Sequence, residues 1–336
     1  MNQNTLVLRE TPSYDAKFRL VETGLVAMKR VLISTVYNEA ANIARWIDAL
    51  RSQTVPPDEF VIVDGGSKDD TVAQLRKGFG NGNFPKPKII VQRCNIAQGR
   101  NLAVQNSTHE IIASVDAGSV PDRKWLEEIT RPFEEGVVGV VGGSCPIVIE
   151  NDFQKKVERL IGGEADRFVE GGDCTPSSRN VAFTRQAWAG VGGYPEWLTL
   201  TAEDSLFNAN LHAAGMRFYH QPSALVSWEL RPNLRSYLKM MRSYGYGSAE
   251  TGQAPRLYRR WLLTTLLPPL ILLSPHPIAD APLRYLRNAA SSWGWLQGKM
   301  NGRKPPAGWR WVDGVWLSPQ TLATIEGQRT AVNARS

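Results

Sequence analysis

Cysteine is scarce in this chain: three in 336 residues, Cys94, Cys145 and Cys174. They have no metal-type spacing, so neither a disulfide framework nor a thiolate metal site is expected, and a reducing, cytoplasmic setting follows. No apolar run reaches the ~20 residues needed to cross a bilayer. The longest, Trp261–Leu273, has 13 residues and is interrupted by Pro268-Pro269. Residues 1–24 are mixed and polar, without the basic start and apolar core of a signal peptide. Helix-turn-helix, zinc and RNA-binding signatures are all missing, which argues against a nucleic acid partner. There is also no internal repeat.

What is present fits an ordered α/β protein. Hydrophobic residues make up 42% and charged residues 21%, and the length allows one large core with a sizeable appendage. The formal charge of +7 is unevenly spread. From Arg217 onward 16 Lys and Arg stand against 5 Asp and Glu, net +11, while the preceding part holds 23 against 27, net −4. Six of the 11 tryptophans (Trp261, Trp293, Trp295, Trp309, Trp311, Trp316) lie in the last quarter. A basic, Trp-rich end suits an anionic membrane surface. Arg256, Arg259 and Arg260 precede the apolar stretch, and Arg284 and Arg287 follow it. Two readings of that stretch stay open: a buried helical hairpin, or an interfacial or re-entrant membrane anchor.

Strand-like runs at Val31–Val36, Phe60–Val63, Lys88–Gln92 and Ile111–Val115 alternate with helical periodicity at Ala40–Arg51, Thr71–Lys77 and Ala97–Gln105. Such alternation predicts βαβ units and a mostly parallel sheet flanked by helices. Pro121 reads as the first turn of a helix. After Val137–Val141 the alternation stops. An amphipathic helix at Glu150–Val169 is expected next, then a loop at Gly171–Ser178, a helix near Asp204–Ala214, a strand at Ala224–Trp228 and a helix near Leu234–Tyr244. Three regions follow: an N-terminal extension (1–27), a catalytic domain (28–250) and a basic, helical C-terminal region (251–336).

Two of the strands end abruptly in polar and acidic residues, at Thr35-Val-Tyr-Asn-Glu39 and Val63-Asp-Gly-Gly-Ser-Lys-Asp-Asp-Thr71. In an open parallel sheet ligands sit beyond the carboxyl ends of the strands. Glu39, Asp64 and Asp116 are therefore expected around one crevice, and Glu203-Asp204 opens a helix further on. Taken singly, each acid is explained as a helix cap or first-turn acid. Three strand-end acids in one sheet point to a site.

Together with Asn95-Ile-Ala-Gln-Gly-Arg-Asn101, Asp116-Ala-Gly118, Val191-Gly-Gly-Tyr-Pro195 and Glu203-Asp204, these motifs resemble the family 2 glycosyltransferases. The resemblance runs from about Arg30 to Gly247. It implies the GT-A fold and inverting transfer of one sugar from a nucleotide-sugar donor to an acceptor hydroxyl. It further implies that Thr35, Glu39 and Asp64 line the nucleotide pocket, that Asp64 accepts a hydrogen bond from the base, and that Arg100 meets a base carbonyl. Asp116 would approach the ribose or a metal-bridged diphosphate, and Asp204 would be the general base. Arg179, with Arg231 and Arg242 behind it, is the candidate cation for the departing diphosphate.

Two departures from the family pattern stand out. Gly118 replaces the second acid of Asp-X-Asp, and Trp228 stands where many relatives carry histidine. Both remove ligands from a divalent metal, Mg²⁺ or Mn²⁺, leaving Asp116 and the diphosphate itself to hold one. The processive Gln-x-x-Arg-Trp string is missing: Leu257 stands where its Gln would precede Arg260-Trp261, so a nonprocessive enzyme is expected. The resemblance implies a lipid-linked or envelope glycan acceptor and a peripheral place on the inner face of the cell membrane. Transfer to a polyprenyl phosphate, a noncatalytic sugar-nucleotide-binding subunit and a nucleotidyltransferase are the alternatives.

Overall fold

Along β1 (Arg30–Val36), Leu32 and Val36 enter one buried cluster and Val31 and Ile33 another. β2 (Glu59–Asp64) repeats the split, with Phe60 and Ile62 against Val61 and Val63. Strands buried on both faces require helices on both faces. The first cluster takes Trp46 and Leu50 from α1 (Ile43–Arg51), Leu75 from α2 (Thr71–Gly78) and Trp125 from α4 (Trp125–Glu134). The second takes Ala103 and Val104 from α3 (Ile96–Gln105), Ala187 from α6 (Arg185–Gly190) and Phe207 and Leu211 from α7 (Glu203–Ala213). Each fully buried large side chain contributes about 1.5–3 kcal/mol, so this two-sided core fixes the sheet firmly.

The computed structural model describes residues 28–80, 82, 84–136, 139–161, 174–273 and 277–333. The expected extension 1–27 lies outside them, as do residues 137–138, 162–169 and 171–173 of other expected elements. The remaining strands are β3 (Lys88–Val91), β4 (Ile111–Ser114), β5 (Ser119–Pro121), β6 (Gly139–Ser144), β7 (Ile147–Val148), β8 (Val181–Thr184) and β9 (Arg217–Glu229). The sheet runs β3-β2-β1-β4-β8-β6-β9-β5, with β7 on β9. β3, β2, β1 and β4 pair in parallel, β8 is antiparallel to both β4 and β6, and β6 returns to parallel pairing with β9. The sheet is mostly parallel, as the strand–helix alternation predicts.

Three boundaries differ from expectation. Pro121 ends β5 and the helix starts at Trp125; Asp122 accepts the Lys124 amide through its side chain and the Trp125 amide through its carbonyl. The strand expected at Ala224–Trp228 is the far half of the 13-residue β9. α8 (Leu234–Thr251) continues past Tyr244. Between β7 and β8, α5 (Asp152–Ile161) is the described part of the amphipathic segment.

Beyond α8 come α9 (Pro255–Leu266), a 3₁₀ segment (Pro268–Leu273), a second one (Ile278–Asp280) and α10 (Ala281–Asn301). The chain closes with a hairpin of β10 (Arg310–Val312) and β11 (Val315–Leu317), then α11 (Pro319–Asn333). α8 and α10 approach so closely at Gly294 that a Cβ there would lie 1.9 Å from the Arg242 carbonyl oxygen. The C-terminal strap is bonded to α7: Asn210 donates to the Trp316 carbonyl at 3.0 Å and accepts the Ser318 amide at 2.8 Å.

Candidate active site

The register puts the strand ends side by side, with Thr35 opposite Val63 and Val36 opposite Asp64. A cleft of about 740 Å³ opens there, and Thr35, Glu39, Asp116 and Arg179 are among its lining residues. The loops after β1 and β2 are laced into one wall. The Asn38 amide donates to Ser67 Oγ, the Glu39 amide to Thr71 Oγ1 and the Ala40 amide to Asp69. Several letters of the Asp-Gly-Gly-Ser-Lys-Asp-Asp-Thr motif therefore serve the backbone.

Asp64 is fully buried, and its Oδ2 accepts the amides of Gly66 and Ser67 at 2.9 Å each. Among the described residues its buried Oδ1 has no hydrogen-bond partner, which suits an acceptor kept for a ligand N–H. Gly65, not Asp64, lines the cleft. Glu39 does line it, and burial pushes its carboxyl up from the ordinary 4.5. Arg231 opposes that rise, while Asp116 and Asp69 add to it.

The Asn95–Asn101 motif is a piece of engineering around β1. Asn95 caps α3 in a capping box with Gln98. Gly99 lets α3 lie against Thr35, whose Cγ2 would be 2.8 Å from any Cβ there. Asn101 accepts from the Tyr194 amide and the Trp188 indole, and donates to the Tyr194 carbonyl and to Glu196.

Arg100 is buried, 2.5 Å from Glu203, 2.9 Å from Asp116 and 5.4 Å from the ring centre of Tyr194. Burial would lower its pKa, yet the two carboxylates hold it above the ordinary guanidinium range. Arg100 is not among the cleft-lining residues; its guanidinium braces Asp116 against the start of α7. Burial pushes Glu203 up, with Arg100 opposing.

Asp204 follows on α7, half-buried, and its Oδ1 accepts the Ser205 amide at 2.7 Å. The cleft wall nearest in sequence is Thr199 and Leu200. Ala202, between that wall and α7, sits in the left-handed region at φ 75°, where a side chain costs about 1–2 kcal/mol. Thr199 is pinned through its amide and hydroxyl to buried Glu250 of α8, which also accepts the Arg303 amide.

Across the cleft, the Arg179 guanidinium lies over the Trp228 ring, 4.2 Å from its centre, and also interacts with Tyr244. Asn180 holds that turn: its amide donates to the carbonyls of Ser144 and Ala224, and its oxygen accepts from the Trp125 indole. Arg231 lines the same cleft. Sequence reasoning missed Gln154 and Glu150 at the rim, because on an amphipathic helix they read as a solvated face. It also missed Asn180 and Glu250, for which no local signal exists.

The donor set fits a tightly held divalent metal poorly. Asp116 is already ion-paired, Gly118 offers no ligand, and Trp228 carries a guanidinium on its face. Among the described residues no group of three or more His, Cys, Asp or Glu is placed to hold a metal.

The chain matches the family model Glycosyl transferase family 2 over residues 31–189, and Glycosyl transferase family group 2 over residues 111–296. It is similar to the glycosyltransferase AglE of Haloferax volcanii, 26% identical over 260 residues, which span 70% of this chain and 81% of that protein. It is also similar to the O-antigen chain rhamnosyltransferase RfbN of Salmonella typhimurium, 26% identical over 212 residues, 59% of this chain and 66% of the relative. Among solved structures, the mannosyltransferase PcManGT of Pyrobaculum calidifontis, in complex with GDP-Man and Mn²⁺, shares the fold. Its TM-score is 0.52 at 19% identity, covering 90% of this chain and 75% of that one.

Proposed function

Because the chain belongs to glycosyl transferase family 2 and is a glycosyltransferase, we propose that it transfers one sugar from a nucleotide-sugar to an acceptor hydroxyl with inversion. Asp204 is the general base. It takes the proton from the acceptor hydroxyl as that oxygen attacks the anomeric carbon from the face opposite the diphosphate. The bond from that carbon to the diphosphate oxygen breaks, and the electron pair leaves with the diphosphate. Arg179 and Arg231 meet the departing charge. A guanidinium stacked on an indole keeps its in-plane N–H edge for phosphate oxygens. Of the Asp-X-Asp positions that would meet a divalent cation at the diphosphate, Asp116 alone carries a carboxylate, since position 118 is glycine.

One arrangement carries this reading: Arg100 bridges Asp116, on the donor side, to Glu203, the neighbour of Asp204. Residues far apart along the chain are thereby tied together: Asp116 lines the cleft, while Arg100, Glu203 and Asp204 are not among its lining residues and stand behind it. Asp64 and Glu39 sit at the nucleotide end. The acceptor is a lipid-linked or envelope glycan, a reading supported by the relative named for O-antigen chain synthesis. The region 28–250 carries the chemistry.

A thermal-shift screen of nucleotide-sugars tests the donor. Ligand at 100 times its Kd stabilises the fold by about 2.7 kcal/mol, so one hit identifies base and sugar together. The anomeric configuration of the product, read by NMR, tests inversion. If no nucleotide-sugar shifts the transition, or the product retains its configuration, the reading fails.

A further inference from the structure

We propose that α9 and the 3₁₀ segment behind it form a ridge that rests on an anionic membrane surface and holds the acceptor's lipid beside the cleft. The inference rests on reading the acceptor as lipid-linked.

Leu263, Leu266, Leu267, Leu272 and Leu273 are 49–79% exposed within 11 consecutive positions. Scattered single leucines need no explanation, but a contiguous apolar stretch marks a contact surface. Charge identifies the partner. Arg256, Arg259 and Arg260 are exposed at the start of α9, and no Asp or Glu occurs between Thr251 and Ala279. Cations beside an apolar body complement anionic headgroups over acyl chains. A second copy fits badly, since apposed ridges would bring two sets of three arginines together. α9 has 12 residues, and no helix among those described is long and apolar enough to cross a membrane. The ridge therefore lies in the surface plane.

The ridge is fixed to the catalytic body. Asn288 of α10 donates to Thr264, and Arg284 donates to the carbonyl of Ile271, whose side chain is buried while Leu272 and Leu273 face out. Buried Asp280 is ion-paired with Arg159 of α5 at 2.8 Å. Gln154, five residues or about 7.5 Å back along that helix, lines the cleft. A lipid held at the ridge thus has its head group close to the rim.

The test uses the full chain and sedimenting vesicles, either pure phosphatidylcholine or with about one quarter phosphatidylglycerol. Nucleotide-sugar thermal shifts and sedimentation velocity are run in parallel. Wild type should pellet with the anionic vesicles. Leu266→Asp/Leu267→Asp should weaken that binding at least ~10-fold. Arg256→Gln/Arg259→Gln/Arg260→Gln should cost about fivefold per charge on anionic vesicles and nothing on neutral ones. Every variant should keep the donor-induced shift. Should the paired Asp substitutions impair folding, Leu273→Asp, 79% exposed, gives the same readout. Wild type left in the supernatant while its donor shift persists would overturn the ridge and spare the transferase reading. Vesicle binding without any donor shift would do the reverse. A solution dimer split by Leu266→Asp/Leu267→Asp would show a protein interface and also overturn the proposal.

Discussion

Arg100 on α3 donates to Glu203 at the start of α7, at 2.5 Å and with both side chains out of water. The same guanidinium reaches Asp116 at the end of β4. Two helices and a strand end are thus tied by one cation. A surface pair would contribute little. This pair is buried, so it acts mainly as a constraint: its members tolerate no loss of a partner.

Arg100→Leu should therefore destabilise the fold by about 3–5 kcal/mol, the cost of stranding a buried charge, and abolish transfer. Glu203→Gln keeps an acceptor and should cost only about 1–3 kcal/mol. The double variant Arg100→Leu/Glu203→Leu should regain part of the stability and none of the activity. Denaturant midpoints and turnover measured together check this. An unchanged midpoint for Arg100→Leu would contradict it.

Glu39 gives a prediction in pH. Burial raises its folded-state pKa above the ordinary 4.5, so between those two values the folded chain binds more protons than the unfolded one. Its contribution to stability is full below 4.5, falls as pH rises through the folded value, and is constant beyond. Glu39→Gln removes that loss. Its Tm should match wild type below pH 4.5 and exceed it at pH 8, while donor binding weakens. A Tm difference independent of pH would show that Glu39 is not held at a cost.

Much of this was legible in the sequence because strand-end acids and buried β-rich runs are local signals. β1, β2 and β4 lie where the apolar runs put them, and Thr35, Glu39, Asp116 and Arg179 line one cleft. The resemblance implies that Arg100 meets a base carbonyl; its spacing shows a helix, but only the fold reveals its partners Asp116 and Glu203, the latter 103 residues away. Glu250 and Asn180 were invisible for the same reason, since each acts on loops distant in sequence. Proline suits a helix's first turn and an edge strand equally, so Pro121 reads as a helix start although it ends β5.

Asp204→Asn keeps the shape of the side chain and removes the proposed base. Transfer should fall by about 10²–10⁴-fold, the usual worth of a positioned base. The thermal shift with donor should persist, because Asp204 is not among the groups that would hold the nucleotide. Near wild-type turnover in the variant would mean that another group takes the proton.

Gly118 offers the sharpest test of how the diphosphate is neutralised. Divalent Mg²⁺ and Mn²⁺ prefer carboxylate oxygens, and here one carboxylate, Asp116, is committed to Arg100. On the proposed reading the positive charge comes instead from Arg179, which lies over the Trp228 ring. Wild type should therefore retain most of its activity in EDTA; complete loss restored by Mn²⁺ would refute this. Among the described residues a Cβ at position 118 would meet nothing within 4 Å, so Gly118→Asp introduces a second carboxylate with no clash at its Cβ. That variant should gain a response to Mn²⁺ that wild type lacks. It should also depend less on Arg179, so that Arg179→Lys costs less turnover in Gly118→Asp with Mn²⁺ than in the wild-type background. Equal losses in the two backgrounds would mean that Arg179 and the cation do not share the task.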